Sequence, residues 1–149
     1  MKALGVLVIF AATAAAAQEA PGVESAQRAK MNWMLSCQGC HQPDATGSAG
    51  GAPSMAGEVA RFLNVAGGRE YLTRVPGVAN AGLSNDQLAE LLNWTLATFD
   101  KDHLPADFIP FTADEVAAGR THPLVSEAAV LRETLRGNFV DDGRVGGAN

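Results

Sequence analysis

Cys37-Gln38-Gly39-Cys40-His41 is the stretch on which the reading of this chain turns. C-x-x-C-H is the attachment signature of c-type haem. Two thiols with two residues between them reach the two vinyl groups of one macrocycle and form thioethers. The imidazole next to the second thiol is then delivered to one face of the iron. Histidine is a standard fifth ligand of haem iron. On this reading Cys37 and Cys40 tether one haem c and His41 ligates its iron. Two other readings use the same residues. A thiol–disulfide redox pair normally accompanies a βαβ pattern, and the chain has no such pattern. A zinc site would need His103 and His122 as further ligands, at a spacing unlike the usual zinc pairs.

The residues before the motif place it in a compartment. Lys2 is a short basic start, Ala3 to Phe10 is apolar, and Ala15-Ala16-Ala17 precedes Gln18. This is the pattern of a secretory signal peptide. Residues 1–17 are expected to be removed, leaving the mature chain in the periplasm with no membrane span. An uncleaved anchor is the competing reading, and its apolar part is short for a span. The 149 residues are 47% hydrophobic and 18% charged, a globular composition of about one domain. Eleven basic against 16 acidic side chains give a net charge of −5, which argues against nucleic-acid binding. Both cysteines lie in the motif, so no disulfide scaffold is available.

Hydrophobic spacing and stop signals predict an all-α chain. Pro21-Gly22 breaks a leader. Glu24 to Ser36 reads as a helix bringing Trp33 and Met34 up to the motif, and Pro43 is the stop after it. Residues 44–53 form a glycine-containing loop. Short helices are expected over 58–65, closed by Gly67-Gly68, and over 70–74, ended by Pro76-Gly77. Ser84-Asn85-Asp86-Gln87 is a capping box. Leu88, Leu91, Leu92, Thr95 and Leu96 then recur at helical spacing through Phe99. Leu104 to Pro110 is a proline-bounded connector. A second capping box, Thr112 to Glu115, opens a helix to about Arg120. Ser126 to Arg136 is the last helix, with Gly137 as its left-handed stop. Residues 141–149 read as a disordered tail. No segment alternates with period two, so no substantial sheet is expected.

Residues 26–99 resemble a class I, single-haem c-type cytochrome. The resemblance rests on Trp33 four residues before the first cysteine and on the motif itself. Pro53-Ser54-Met55-Ala56-Gly57 follows the glycine-rich loop, and Gly82-Leu83-Ser84 with Trp94 marks the last helix of the haem domain. The family implies a small helical domain, residues 18–103, around one covalent haem, its first and last helices crossing near Trp33 and Trp94. It also implies that the Pro53 carbonyl accepts a hydrogen bond from His41 Nδ1–H, fixing the ring behind the iron. Residues 104–140 lie outside the resemblance and are expected to pack as a helical extension over the haem domain or onto a partner.

The family usually supplies a distal methionine from the loop before the last haem-domain helix. Here that loop, residues 64–82, holds no Met, His, Lys or Cys. Met55 is the candidate sixth ligand, and it sits where the family places a packing leucine. Asn80, His103, His122 and an open site are the alternatives. Arg69 or Tyr71 is a candidate neighbour of a haem propionate. The function implied is a carrier, not an enzyme, passing single electrons between a periplasmic dehydrogenase and a downstream acceptor. A haem-based ligand-binding or sensing protein, or a haem subunit of a dehydrogenase complex, is the alternative.

Overall fold

The computed structural model describes residues 20–140. The predicted signal peptide and the predicted tail from Asp141 lie outside the described residues. All the regular structure among the described residues is helical.

Helix α1, Ala26–Ser36, starts where the Ser25 side chain accepts from Arg28 N–H, relieving one of the unpaired donors of a helix start. It buries Ala29, Asn32 and Trp33. One further turn, α2 (Gln38–His41), carries the motif. A 3-10 segment, Val59–Asn64, turns Val59, Ala60 and Phe62 inward. Helices α3 (Gly68–Arg74) and α4 (Pro76–Ala79) follow. The long helix α5, Asn85–Phe99, opens with the complete capping box between Ser84 and Gln87. Two helices complete the chain: α6, Ala113–Arg120, with its own capping box, and α7, Ala128–Arg136.

Helix α5 is the axis of the fold, with α1 packed on one side and α6 on another. At the α1–α5 crossing the Trp33 ring lies 6.2 Å from Trp94 and 4.7 Å from Phe99. These aromatic pairs add to ordinary burial. Two polar side chains of α5 organise this centre. Glu90 is 5% exposed and accepts from the N–H groups of Glu24 (3.0 Å) and Ser25 (2.8 Å), ahead of α1. Its other partner is the Arg28 guanidinium at 2.8 Å. Asn93 is 1% exposed. It donates to the carbonyls of Gly22 (3.2 Å) and Phe111 (3.1 Å) and accepts from Phe111 N–H (2.8 Å). One buried amide therefore fastens both the leader and the connector to α5.

The structure revises several local expectations. Pro76 starts α4 at its first turn, where the missing N–H costs nothing. Residues 59–64 are 3-10, and at their start the Asp100 carboxylate accepts Ala60 N–H at 2.7 Å. Gly68 lies inside α3, and Gly67 takes the left-handed position before it (φ 80°). Gly137 is not left-handed (φ −60°). Turn hydrogen bonds from Asn138 N–H to Leu135 O and from Phe139 N–H to Arg136 O carry the chain on past α7, and Phe139 meets Phe62 edge-on at 4.9 Å. The extension shares the core: Phe111, Val116, Leu124 and Leu135 are buried with Trp33, Phe62 and Leu88 in one cluster.

Candidate functional site

The motif turn is built by backbone hydrogen bonds. Cys40 N–H and His41 N–H both donate to Cys37 O, at 3.1 and 3.0 Å. The two thiols therefore sit on one helical turn, Cys37 half-buried and Cys40 exposed, and no disulfide joins them. Burial, with the Cys40 thiol beside it, pushes the Cys37 thiol up to about 11. It is a protonated thiol in an apolar setting, unlike the low-pKa thiolate of a redox cysteine.

The loop that follows returns to the imidazole. Gly47 N–H donates to His41 O at 2.8 Å. His41 Nδ1 lies 3.0 Å from Pro53 O. A carbonyl only accepts, so the proton is on Nδ1 and the Nε2 lone pair is left for another partner. Burial lowers the His41 pKa, the Pro53 carbonyl opposes that, and nearby Arg132 adds to the lowering. Gly47 is needed here. Its φ is +72°, and a Cβ would stand 2.4 Å from Ala52 O and 2.8 Å from Pro53 O.

This donor set suits haem c. Two unlinked thiols are spaced one turn apart, and a neutral imidazole has its outward nitrogen free. The Trp33 ring, 6.1 Å from the His41 ring, makes the neighbouring wall, and its indole N–H is buried without a partner.

The structure places the remaining candidates one by one. Met55 is two residues beyond Pro53, its N–H donating to Ala45 O at 2.8 Å, and its side chain packs half-buried against the core. Asn80 is exposed, its amide donating to Pro76 O at 3.0 Å. His103 Nδ1 pairs with Asp100 Oδ1 at 2.5 Å, next to the 3-10 segment. His122 is exposed between α6 and α7, with Nδ1 2.7 Å from Thr121 Oγ1. Arg69 is committed to the extension: it meets Glu115 at 2.7 Å and covers the Phe111 ring at 4.1 Å. Tyr71 stacks on Phe62.

Sequence reading missed the two arginines through which the extension grips the site. Arg120 of α6 donates to the carbonyls of Ala79 (3.1 Å), Ala81 (2.7 Å) and Leu83 (3.0 Å) and to Asn85 Oδ1 (2.9 Å). It pins the whole segment between α4 and α5. Arg132 of α7 donates to Ser54 O at 3.0 Å and to Glu58 at 2.9 Å, beside the Pro53 carbonyl that holds His41. An arginine on each predicted helix was the only signal in the sequence, and it names no partner.

A helical fold closed by α1 on α5, with a C-x-x-C-H turn whose histidine is held from behind, defines a single-haem c-type cytochrome. Comparison with known proteins agrees. Cytochrome c-552 of Thermus thermophilus is 33% identical over 119 aligned positions, which cover 68% of this chain and 91% of the relative. A second cytochrome c-552 of Thermus thermophilus is 32% identical over 119 positions, covering 68% and 80%. No family model and no solved structure matches. The chain belongs to the family of cytochrome c-552, the class I c-type cytochromes. It is accordingly a monohaem electron carrier with covalent haem c, not an enzyme.

Proposed function

We propose that this cytochrome works in the periplasm, taking single electrons from a dehydrogenase there and passing them to a downstream acceptor. Cys37 and Cys40 are the thioether tethers, His41 is the fifth ligand, and the Pro53 carbonyl orients its ring. The observation that carries the site assignment is the 3.0 Å contact from His41 Nδ1 to Pro53 O, with both thiols on the preceding turn. The haem supplies the reversible one-electron chemistry. The chain's own part is to hold the imidazole in one tautomer and to keep water from the buried side of the site. The stretch from Lys2 to Ala17 supports export. No described helix is long and apolar enough to cross a membrane.

Acidic organic extraction of the purified protein tests the tether: the haem colour should stay with the polypeptide. Cys37→Ala and Cys40→Ala should each lose one thioether and lower the yield of holoprotein. Intact mass should place the mature N-terminus at Gln18. Haem that extracts completely from the wild type would refute the site assignment.

A further inference from the structure

We propose that the iron's sixth position is left open by the protein and takes a small neutral diatomic ligand, giving the carrier a second, ligand-binding capacity. This rests on the site assignment above, with His41 as fifth ligand.

Each methionine, lysine and histidine among the described residues, His41 apart, is placed away from such a role. Met31 and Met34 lie on α1, the helix leading into the motif, and are half in solvent, 51% and 50% exposed. Lys30 and Lys101 are exposed. His103 turns Nδ1 to the buried Asp100 carboxylate, against the 3-10 segment. His122 is exposed just past the end of α6. Outside residues 20–140, the only donors of these types are Met1 and Lys2.

Met55 is the decisive case. The Pro53 carbonyl contacts Nδ1, the nitrogen on the far side of the ring from the ligating Nε2. Pro53 thus stands behind the imidazole. Met55 comes two residues later, anchored at Ala45, and the residue between is gripped by Arg132 at Ser54 O. To approach an iron held at Nε2, Met55 would have to leave the core and its anchor at Ala45. Met is also an adaptable core filler, and this one packs on the core.

The segment that precedes α5 is pinned in place. Arg120 holds the carbonyls on both sides of Asn80, at Ala79 and Ala81, with the Asn80 amide turned back to Pro76 O. Swinging that amide inward would break its bond to Pro76 O. What the segment turns to the core is aliphatic: Val75, Val78, Ala81 and Leu83. The Arg120 donors are taken by backbone and Asn85. An aliphatic lining favours a small uncharged ligand over an anion.

The test is the spectrum of reduced holoprotein with and without carbon monoxide or nitric oxide. The expected result is a five-coordinate, high-spin ferrous haem whose spectrum shifts fully on carbon monoxide, at a rate proportional to its concentration. Met55→Leu, Asn80→Ala, His103→Ala and His122→Ala should each leave that spectrum and rate unchanged. A low-spin, six-coordinate ferrous haem that resists carbon monoxide would overturn the proposal, as would a red iron–thioether band lost in Met55→Leu. Either result on a covalently held haem sinks this inference alone. Haem stripped by acid extraction sinks the site assignment instead.

Discussion

Replacing Arg120 by alanine tests whether the C-terminal extension pins the segment between α4 and α5. The substitution removes four hydrogen bonds from a charged donor, spanning 2.7 to 3.1 Å, to Ala79, Ala81, Leu83 and Asn85. A bond to a charged group contributes roughly 1.5–3 kcal/mol net when its partner cannot rehydrate. Ala79 is 8% exposed, so its carbonyl meets that condition. The other three residues are half-buried, and water recovers most of their loss. One full contribution and three partial ones give about 2–4 kcal/mol. Urea unfolding of the holoprotein, followed by haem absorbance and helical dichroism, should show a lower midpoint with an unchanged slope. Arg120→Lys should recover less than half, because an ammonium cannot span carbonyls that a planar fork bridges. Amide exchange at residues 79–83 should quicken in Arg120→Ala while that of α1 stays as it was. A loss below about 0.5 kcal/mol would refute the reasoning, since that is the scale of an ordinary surface change.

Asn93→Leu leaves the N–H and C=O of Phe111 buried without partners, while Gly22 is exposed and rehydrates; unfolding measurements should show a loss of about 2–5 kcal/mol. Gly47→Ala forces a Cβ against the Pro53 carbonyl; the holoprotein should form in lower yield, with a shifted reduction potential because the Pro53–His41 bond is disturbed. Gly119→Ala brings a Cβ to 2.2 Å from Thr73 Oγ1 where α6 meets α3, and overpacking of this kind costs about 1–3 kcal/mol by the same unfolding assay. For Glu90, burial pushes the pKa up, but Arg28 and the N–H groups of Ser25 and Glu24 outweigh it, so the folded value is depressed; Arg69 depresses that of Glu115. Depressed carboxylates stabilise the fold above their unfolded pKa, about 4.3, and lose that contribution as pH falls through the folded value. The unfolding midpoint should therefore drop as the solution is acidified below the usual glutamate range, and less steeply in Arg28→Ala and Arg69→Ala.

The sequence by itself determined what depends on neighbours along the chain. The motif turn needs two thiols and an imidazole within five consecutive residues, so its chemistry is legible without a fold. The starts of α5 and α6 are equally local, because a capping box closes within four residues. The crossing near Trp33 and Trp94 was readable only through the family resemblance. Tertiary structure alone decided the rest. Pro76 was read only as a stop; α3 does end at Arg74, and Pro76 also starts α4, because its fixed φ suits a first helical turn and the packing of the next turn uses it. Gly137 had the composition of a left-handed stop; α7 does end at Arg136, but Gly137 stays right-handed and the chain runs on to dock Phe139 on Phe62. Arg120 and Arg132 look like solvent-facing charges in a helical pattern. Their partners, Ala79 to Asn85 and Ser54 to Glu58, are backbone and side-chain acceptors tens of residues away. Backbone carbonyls carry no side-chain signature, so only the folding of the extension over the haem domain brings these arginines to the segments they hold.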